Sequence, residues 1–216
     1  VTVVTVAVPV LTLNISESVM RFALDKDADK QKITQIGTGV LLIGMLVGLL
    51  VFPICRSFDK ISQYSLYVYL YVIASAASQM YLCDLRGKEL LVYYSIGNVL
   101  NTLFIACFNI LFLLVFKEGI RGYLKAYIIA NTLTAIYAII IGKGYKSLHF
   151  SHIDKGLLTR MAKYSVVLIP NSFMWWIMNS SDRIMVSSMI SVAANGIYAV
   201  SYKVPTLVST LATIFN

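Results

Sequence analysis

The chain has 216 residues, of which 58% are hydrophobic and only 13% are charged. A soluble domain carries about 25% charged residues, so this composition excludes an ordinary soluble domain. The net charge of +8 does not indicate nucleic-acid binding, because the basic residues concentrate between apolar blocks. These blocks are close to the roughly 20 residues with which a helix spans a bilayer, which predicts an all-α polytopic transmembrane helical bundle.

Seven helical spans are predicted, too long for strands and without sustained alternation. In chain order they cover 1–15, 33–54, 64–82, 90–116, 123–142, 164–186 and 193–214. The first begins without Met in the middle of an apolar stretch, so we expect a fragment whose beginning is missing. The connections are short except at 16–32 and 143–163, and the latter is predicted to include a surface-lying amphipathic helix over about 155–163.

Positive charges predict the orientation in the membrane. By alternation, the loops 16–32, 83–89 and 143–163 lie on one side. Together they hold eleven Lys and Arg residues, against four in the opposite loops 55–63 and 117–122. Because cytoplasmic loops are enriched in these residues, the first three loops are predicted to be cytoplasmic.

The span 164–186 carries a polar and aromatic stripe, because a rotation of about 100° per residue places five side chains within about 80° of one another. They are Tyr164, Asn171, Trp175, Asn179 and Asp182. Charges are rare in membrane helices unless they face a cavity or a partner. Asp182 therefore faces a cavity or lies at the interface near the helix end, and its neighbour Arg183 has the same two alternatives.

Lys203 indicates a polar interior more strongly. It lies near the middle of the predicted span 193–214, on the order of 15 Å from water along a helix, which is farther than a lysine stem reaches. We expect Lys203 to face a cavity, water or a carboxylate, for which Asp182 is a candidate. Pro205 is expected to kink the same helix.

Uncharged polar residues and small residues mark two other spans. Ser95, Asn98, Thr102 and Asn109 share one face of the span 90–116. Such side chains either bond to neighbouring helices or line a path. Gly44 and Gly48, four residues apart, predict close helix packing.

No catalytic constellation is present in the sequence. It has no Gly-rich phosphate loop, no HExxH and no defensible Ser/His/Asp set. Cys55, Cys83 and Cys107 lack metal-ligand spacing and are expected to be buried or reduced thiols. His149 and His152 would need further ligands to hold a metal. We expect no enzymatic activity, no cofactor and no metal, with H⁺ or Na⁺ coupling left open.

Three stretches carry a family resemblance. They are LTLNISESVMRFALDKD (11–27), YSVVLIPNSFMWWIMNSSDRIMVSSMI (164–190) and ANGIYAVSYKVPTLVSTLATIF (194–215). These stretches resemble the bacterial oligosaccharide flippases, the polysaccharide-export branch of the multidrug/oligosaccharidyl-lipid/polysaccharide exporter superfamily. The likeness is sharpest in the Ile-Pro-Asn, Ser-Asp-Arg, Gly-Ile-Tyr and Lys-Val-Pro pieces, and it runs along essentially the whole chain.

The resemblance implies a two-lobe flippase fold, here truncated. Residues 1–142 would be helices 2 to 6 of the first lobe, 143–163 the cytoplasmic inter-lobe linker, and 164–216 helices 7 and 8 of the second lobe. The protein would lie in the bacterial inner membrane. There it would flip undecaprenyl diphosphate-linked oligosaccharide to the outer leaflet by alternating access, for O-antigen or capsule, beside the polysaccharide polymerase machinery.

The resemblance also implies a substrate path along a cationic central cavity, which suits a diphosphate. That path would be lined by Lys203, Asp182, Arg183, Asn171, Trp175, Asn179 and Asn98. Arg21 matches the family's Arg-Phe after the second helix, so it either receives the diphosphate at the cytoplasmic mouth or serves as a positive-inside anchor.

Two other functions are weighed against flipping. A cation-coupled drug or metabolite exporter of the same superfamily needs a membrane carboxylate, and Asp182 is the only acid predicted well inside a span. This scarcity of acids favours the flippase. A membrane-embedded polysaccharide polymerase or ligase would be expected to have a large external loop, and the predicted external loops are short.

Overall fold

The computed structural model describes residues 2–25, 28–56, 64–145 and 154–191, together with residues 198 and 201, and these ranges contain helices but no strand. The helices are α1 (Thr2–Leu11), α2 (Ile15–Ala23), α3 (Lys30–Arg56), α4 (Ser65–Gly87), α5 (Leu91–Ile110), α6 (Ile120–Ile141) and α7 (Lys155–Met189). A π-helical segment, Leu111–Val115, continues α5. The predicted all-α polytopic bundle is confirmed.

Several described helices are long and apolar enough to cross a membrane. They are Lys30–Leu50, Ser65–Gly87, Leu91–Val115 and Ile120–Ile141. Val4–Leu11 and Ile15–Ala23, bent by 61°, can form a further span together. The predicted span 164–186 lies in α7, which is long enough but less apolar because of its Asn, Ser and Asp residues. The predicted span 193–214 lies outside the described residues, apart from two positions.

The prediction of a loop over 16–32 is wrong in its first half, which belongs to α2. This helix is amphipathic, and it buries Ile15, Val19 and Ala23 at four-residue spacing. Leu13 and Asn14 have φ angles of 51° and 54°, a left-handed conformation that ends α1 and turns the chain. Hydropathy alone therefore predicted one straight span and a loop where two helices meet.

Helix α4 lies at the centre of the compact unit Val3–Pro170, where it packs against α2, α3, α5 and α6. Helix α6 buries a row of small residues at four-residue spacing: Gly122, Ala126, Ala130, Thr134 and Ala138. Small residues allow helix backbones to approach closely in a membrane. Contacts of Tyr71 with Tyr127 and of Ser78 with Asn131 show that α4 and α6 run parallel.

The close packing predicted at Gly44 and Gly48 is confirmed. A Cβ atom added to Gly44 would collide with the backbone carbonyl oxygen of Leu11, so α1 and α3 meet backbone to backbone. A Cβ atom added to Gly48 would lie 3.1 Å from the Cε2 atom of Tyr69, a side chain that can shift.

The residues over 155–163 are helical as predicted, but they do not form a separate surface helix. They are the first turns of α7, which continues without a break. These turns pack on α2, where the Ser18 hydroxyl donates to the Met161 carbonyl oxygen at 3.1 Å and Phe22 lies edge-on to Tyr164. Met161 is fully buried, so one face of this amphipathic segment is covered by protein.

Two compact units divide the chain, and their boundary is Pro170 inside α7. The second unit is Asn171–Asn216, of which residues 171–191, 198 and 201 are described. The division into 1–142, 143–163 and 164–216 stays a prediction.

Replacing Gly44 by Ala should destabilise the protein by about 2 kcal/mol, because overpacking against a fixed backbone forces helices apart. The matched variant Gly48→Ala should lose less than about 1 kcal/mol, because Tyr69 can shift and Ala favours a helix over Gly. Thermal unfolding of the detergent-solubilised protein measures both. Equal midpoints for the two variants would contradict the backbone contact at Gly44.

Candidate functional site

A buried ion pair lies at the end of α4. Asp84 is 1% exposed, and its Oδ2 atom accepts a hydrogen bond from the Lys88 ammonium at 2.6 Å. Its Oδ1 atom accepts one from the Thr34 hydroxyl on α3. Lys88 also donates to the backbone carbonyl oxygen of Gly142, directly after α6, at 2.8 Å. The pair therefore links the ends of α3, α4 and α6.

Local structure explains why these groups meet. Residues four apart share a helix face, so Lys88 reaches back to Asp84. The last carbonyls of a helix lack intrahelical donors and attract cations, which suits the Lys88 ammonium at the end of α6. A Cβ atom on Gly142 would lie 3.2 Å from the Asp84 Oδ2 atom, so the missing side chain leaves room for the carboxylate.

This pair was not predicted from the sequence, because α4 was expected to end at residue 82. The helix continues to Gly87, so Asp84 lies within a candidate span and not in a loop. Asp84 lies in the last turn of that span, so the prediction that Asp182 is the only acid well inside a span stays a prediction. An Asp and a Lys four residues apart, next to a helix end, were the available signal.

Other polar side chains inside the first unit are also paired between helices. The Thr38 and Tyr81 hydroxyls lie 3.2 Å apart, joining α3 to α4. The Ser78 hydroxyl donates to the Asn131 side-chain oxygen at 2.9 Å, joining α4 to α6. Such bonds contribute about 0.6 kcal/mol each in a membrane, so they fix geometry more than they add stability.

A basic pocket of about 520 Å³ lies beside the ion pair. We call it the lysine pocket, and its lining residues are Lys30, Gln31, Lys88, Leu90, Tyr93, Ile141, Gly142 and Lys143. Its three lysines come from three stretches that the distribution of Lys and Arg placed on one side of the membrane. The structure therefore brings these stretches to the same end of the bundle.

The backbone N–H groups at the start of α3 do not add donors to this pocket, because the Asp29 carboxylate caps this helix end. The Asp29 carboxylate accepts a hydrogen bond from the Lys32 backbone N–H at 3.2 Å. Burial opposes ionisation of Asp29, but the hydrogen bonds and the charge of Lys32 outweigh it and lower its pKa. The positive character of the pocket therefore comes from its lysine side chains.

The predicted polar stripe on α7 is exposed in the second unit. Asn171 and Asp182 are exposed, and Trp175 has 57% of its surface exposed. The Tyr198 hydroxyl donates to the Asp182 Oδ2 atom at 3.3 Å, so a residue of the Ser-Asp-Arg piece contacts one of the Gly-Ile-Tyr piece. Lys203 and the side chains of Asn179 and Arg183 lie outside the described part, as do His149 and His152.

Ser95, Asn98 and Thr102 on α5 are exposed as well, whereas Asn109 of the same face is half-buried. The Asn98 side chain donates to the Tyr94 carbonyl oxygen of its own helix at 2.9 Å, and Thr102 donates to the Asn98 carbonyl oxygen at 3.0 Å. Among the described residues, neither side chain bonds to another helix. For Asn98 and Thr102, the described contacts therefore favour an open surface over a bond to a neighbouring helix.

Arg21 lies in the last turn of α2, where its guanidinium pairs with the Asp25 carboxylate at 2.9 Å. Both side chains are more than half exposed, so this pair contributes little to stability. Its exposure leaves Arg21 accessible, and both of its predicted roles remain predictions.

These features define a class: a polytopic α-helical membrane protein in which, within the described ranges, the buried Asp84 is paired with Lys88 and exposed polar residues lie on α5 and α7. The model of the polysaccharide biosynthesis protein family matches residues 1–216, and the chain belongs to this family. No curated protein and no solved structure gives a significant match to it.

Breaking the buried pair on one side should destabilise the bundle. Lys88→Met should lower the free energy of unfolding by about 3 kcal/mol, because it leaves the Asp84 carboxylate buried without its counter-charge. The double variant Asp84→Asn/Lys88→Met should lose less than Lys88→Met alone, since no charge then remains buried. Thermal unfolding in detergent measures each variant.

The control for this prediction is Lys30→Met, because Lys30 and Glu89 form an exposed ion pair 3.7 Å apart. Its loss should cost less than about 1 kcal/mol. The single variant Asp84→Asn completes the comparison. If the stability lost in the double variant equals the sum of the losses in Asp84→Asn and Lys88→Met, Asp84 and Lys88 do not act as a pair.

Proposed function

We propose that this protein is a flippase. It would move a polyprenyl diphosphate-linked oligosaccharide from the inner to the outer leaflet of the bacterial plasma membrane by alternating access between two lobes. The observation that carries the proposal is membership of the polysaccharide biosynthesis family along residues 1–216, in a chain whose described part is a membrane bundle. A family that builds polysaccharide, combined with a transmembrane fold, favours transport of the sugar over its synthesis.

Exposed polar residues support the proposal, because a sugar cannot cross hydrocarbon without a polar path. Asn98 and Thr102 on α5 and Asn171, Trp175 and Asp182 on α7 are exposed. In a membrane helix such residues are costly unless they face water or a partner. Amide, indole and carboxylate groups together donate and accept hydrogen bonds, as sugar hydroxyls require.

The diphosphate would be attracted by basic residues of the same path. Arg21, Arg183 and Lys203 are the candidates, because guanidinium and ammonium groups bind phosphate through charge-assisted hydrogen bonds. The proposal includes no enzymatic step and no cofactor. It leaves the coupling ion open and places the protein beside the polymerase machinery that receives its product.

A direct test is rescue of surface polysaccharide in a strain that lacks its own flippase, using the full-length protein. Trp175→Ala and Asn171→Leu should each reduce flipping by about tenfold, the effect of losing one hydrogen bond or contact to the substrate. Met174→Ala is the matched control, because Met174 lies on the same helix and is also exposed, by 67% against 57% for Trp175, but belongs to the apolar face. It should rescue fully.

Protein abundance in the membrane has to be equal for all three variants. Full rescue by both Trp175→Ala and Asn171→Leu would contradict the substrate path on α7. An equal loss in Met174→Ala would show that the exposed helix surface as a whole matters, and not its polar stripe.

A cation-coupled exporter is the second candidate, and Asp84 is the observation in its favour, since it is a buried acid in the last turn of a candidate span. Proton or Na⁺ binding would have to compete with the Lys88 ammonium at 2.6 Å. Asp182 has only a hydroxyl contact at 3.3 Å among the described residues, so it is the more accessible acid.

Asp182→Asn separates the two candidates in the full-length protein. A flippase that uses Asp182 only to orient neighbouring groups should keep part of its surface polysaccharide. An exporter that binds its ion there should lose ion-driven transport in vesicles completely. Asp84→Asn serves as the comparison, and loss of coupling in this variant at unchanged stability would assign the ion to Asp84.

A further inference from the structure

The lysine pocket lies at the ends of candidate membrane spans, where lipid headgroups are expected. Lys30 begins the span of α3, Lys88 follows the end of α4, and Lys143 follows the end of α6. Tyr93 lies in the first turn of α5, an interfacial position that tyrosine favours. The volume of about 520 Å³ falls within the range of small-molecule sites, roughly 300–1,000 Å³.

The three lysines retain capacity for an anion. Lys88 has three N–H donors, and its described bonds to Asp84 and Gly142 use two of them. Lys30 lies 3.7 Å from the Glu89 carboxylate, which is 72% exposed, so this pair is weak. No carboxylate in the described ranges lies within ion-pair distance of Lys143.

The charged groups in and beside the lysine pocket leave one positive charge in excess. Three lysine ammonium groups line the pocket, and two carboxylates, those of Asp84 and Glu89, pair with them. A single excess positive charge matches a phosphodiester, which carries one negative charge. A diphosphate carries more charge than this pocket neutralises.

The walls of the pocket are apolar. Leu90, Ile141 and the Tyr93 ring line it beside the lysines. Val92 and Ile96 continue an exposed apolar surface along α5 from the same end of the bundle. Cations at a rim and hydrocarbon below it fit a molecule with an anionic head and an apolar tail better than they fit free phosphate.

We propose that the lysine pocket binds the headgroup phosphate of an anionic phospholipid. Lys143 and the free donor of Lys88 contact the phosphate, and the acyl chains lie along α5. Basic pockets between transmembrane helices on the cytoplasmic side recognise such headgroups by the same chemistry. Because the lysines also join the ends of α3, α4 and α6, a bound lipid stabilises this end of the bundle.

The test uses the full-length protein, purified in detergent, with retention of added lipid measured by native mass spectrometry. Phosphatidylglycerol is the anionic probe and phosphatidylcholine the neutral comparison. Lys143→Asn should weaken phosphatidylglycerol binding about fivefold, the effect of one lysine near a membrane surface, and leave phosphatidylcholine binding unchanged. Asn is chosen because it tolerates a positive φ, and Lys143 has φ 51°.

Lys117→Asn is the matched control. Lys117 is an exposed lysine with φ 52°, and it lies before the start of α6, two residues after the π-helical segment, as Lys143 lies two residues after the end of α6. This variant should bind phosphatidylglycerol like the wild type. An equal loss in both variants, or no loss in Lys143→Asn, overturns the proposal. If Lys143→Asn fails to fold, Lys30→Gln replaces it with the same expected direction.

A further arm distinguishes the phospholipid from the lipid carrier of the proposed substrate. Undecaprenyl diphosphate is titrated against wild type and Lys143→Asn under the same conditions. Unchanged carrier binding, together with weakened phosphatidylglycerol binding, supports a phospholipid site separate from substrate. Weakened carrier binding with unchanged phosphatidylglycerol binding overturns the proposal and assigns the pocket to the substrate.

Discussion

Asp84 and Lys88 are charged groups that the fold removes from water, and a buried charge is stable only when its partners are held in place. Thr34 from α3 and the Gly142 carbonyl oxygen from the end of α6 supply the remaining bonds. Three helix ends are thereby fixed relative to one another. The position of the lysine pocket follows from this arrangement, because Lys88 belongs both to the buried ion pair and to the lining of the pocket.

The same requirement separates many of the described polar residues into two groups. Inside the first unit, polar side chains such as Ser78 and Asn131 are bonded between helices, and small residues on α6 allow that approach. On α5 and α7, polar residues such as Asn98 and Asn171 are exposed. The first group maintains the bundle. The second group is available for water, substrate or other parts of the protein, which is why the proposed path rests on it.

Family membership and the polar residues on α5 and α7 are two independent arguments for the proposed function. The family match covers the chain but does not identify the transported molecule. In the proposed path, the exposed amides, the indole of Trp175 and the carboxylate of Asp182 would supply the hydrogen bonds that a hydroxylated substrate requires. The lysine pocket is a separate feature. Its lysines lie beside apolar residues at helix ends, and none of them belongs to the polar stripe of α7.

The sequence predicted the helices better than their ends. Four predicted spans, 33–54, 64–82, 90–116 and 123–142, correspond to α3, α4, α5 with its π-helical continuation, and α6. The errors occurred where apolar and polar residues mix. Helix α2 was taken for a loop because only one of its faces is apolar. The last turn of α4 was missed because it contains Cys83, Asp84 and Arg86.

The sequence by itself determined the class of protein, the family resemblance and the grouping of basic loops, because hydropathy and charge are local properties that a membrane sorts along the chain. Only the tertiary structure decided which polar groups are paired. Thr34 lies 50 residues from Asp84, and Lys88 lies 54 residues from Gly142. No local pattern specifies such partners, because they meet only after the helices have packed.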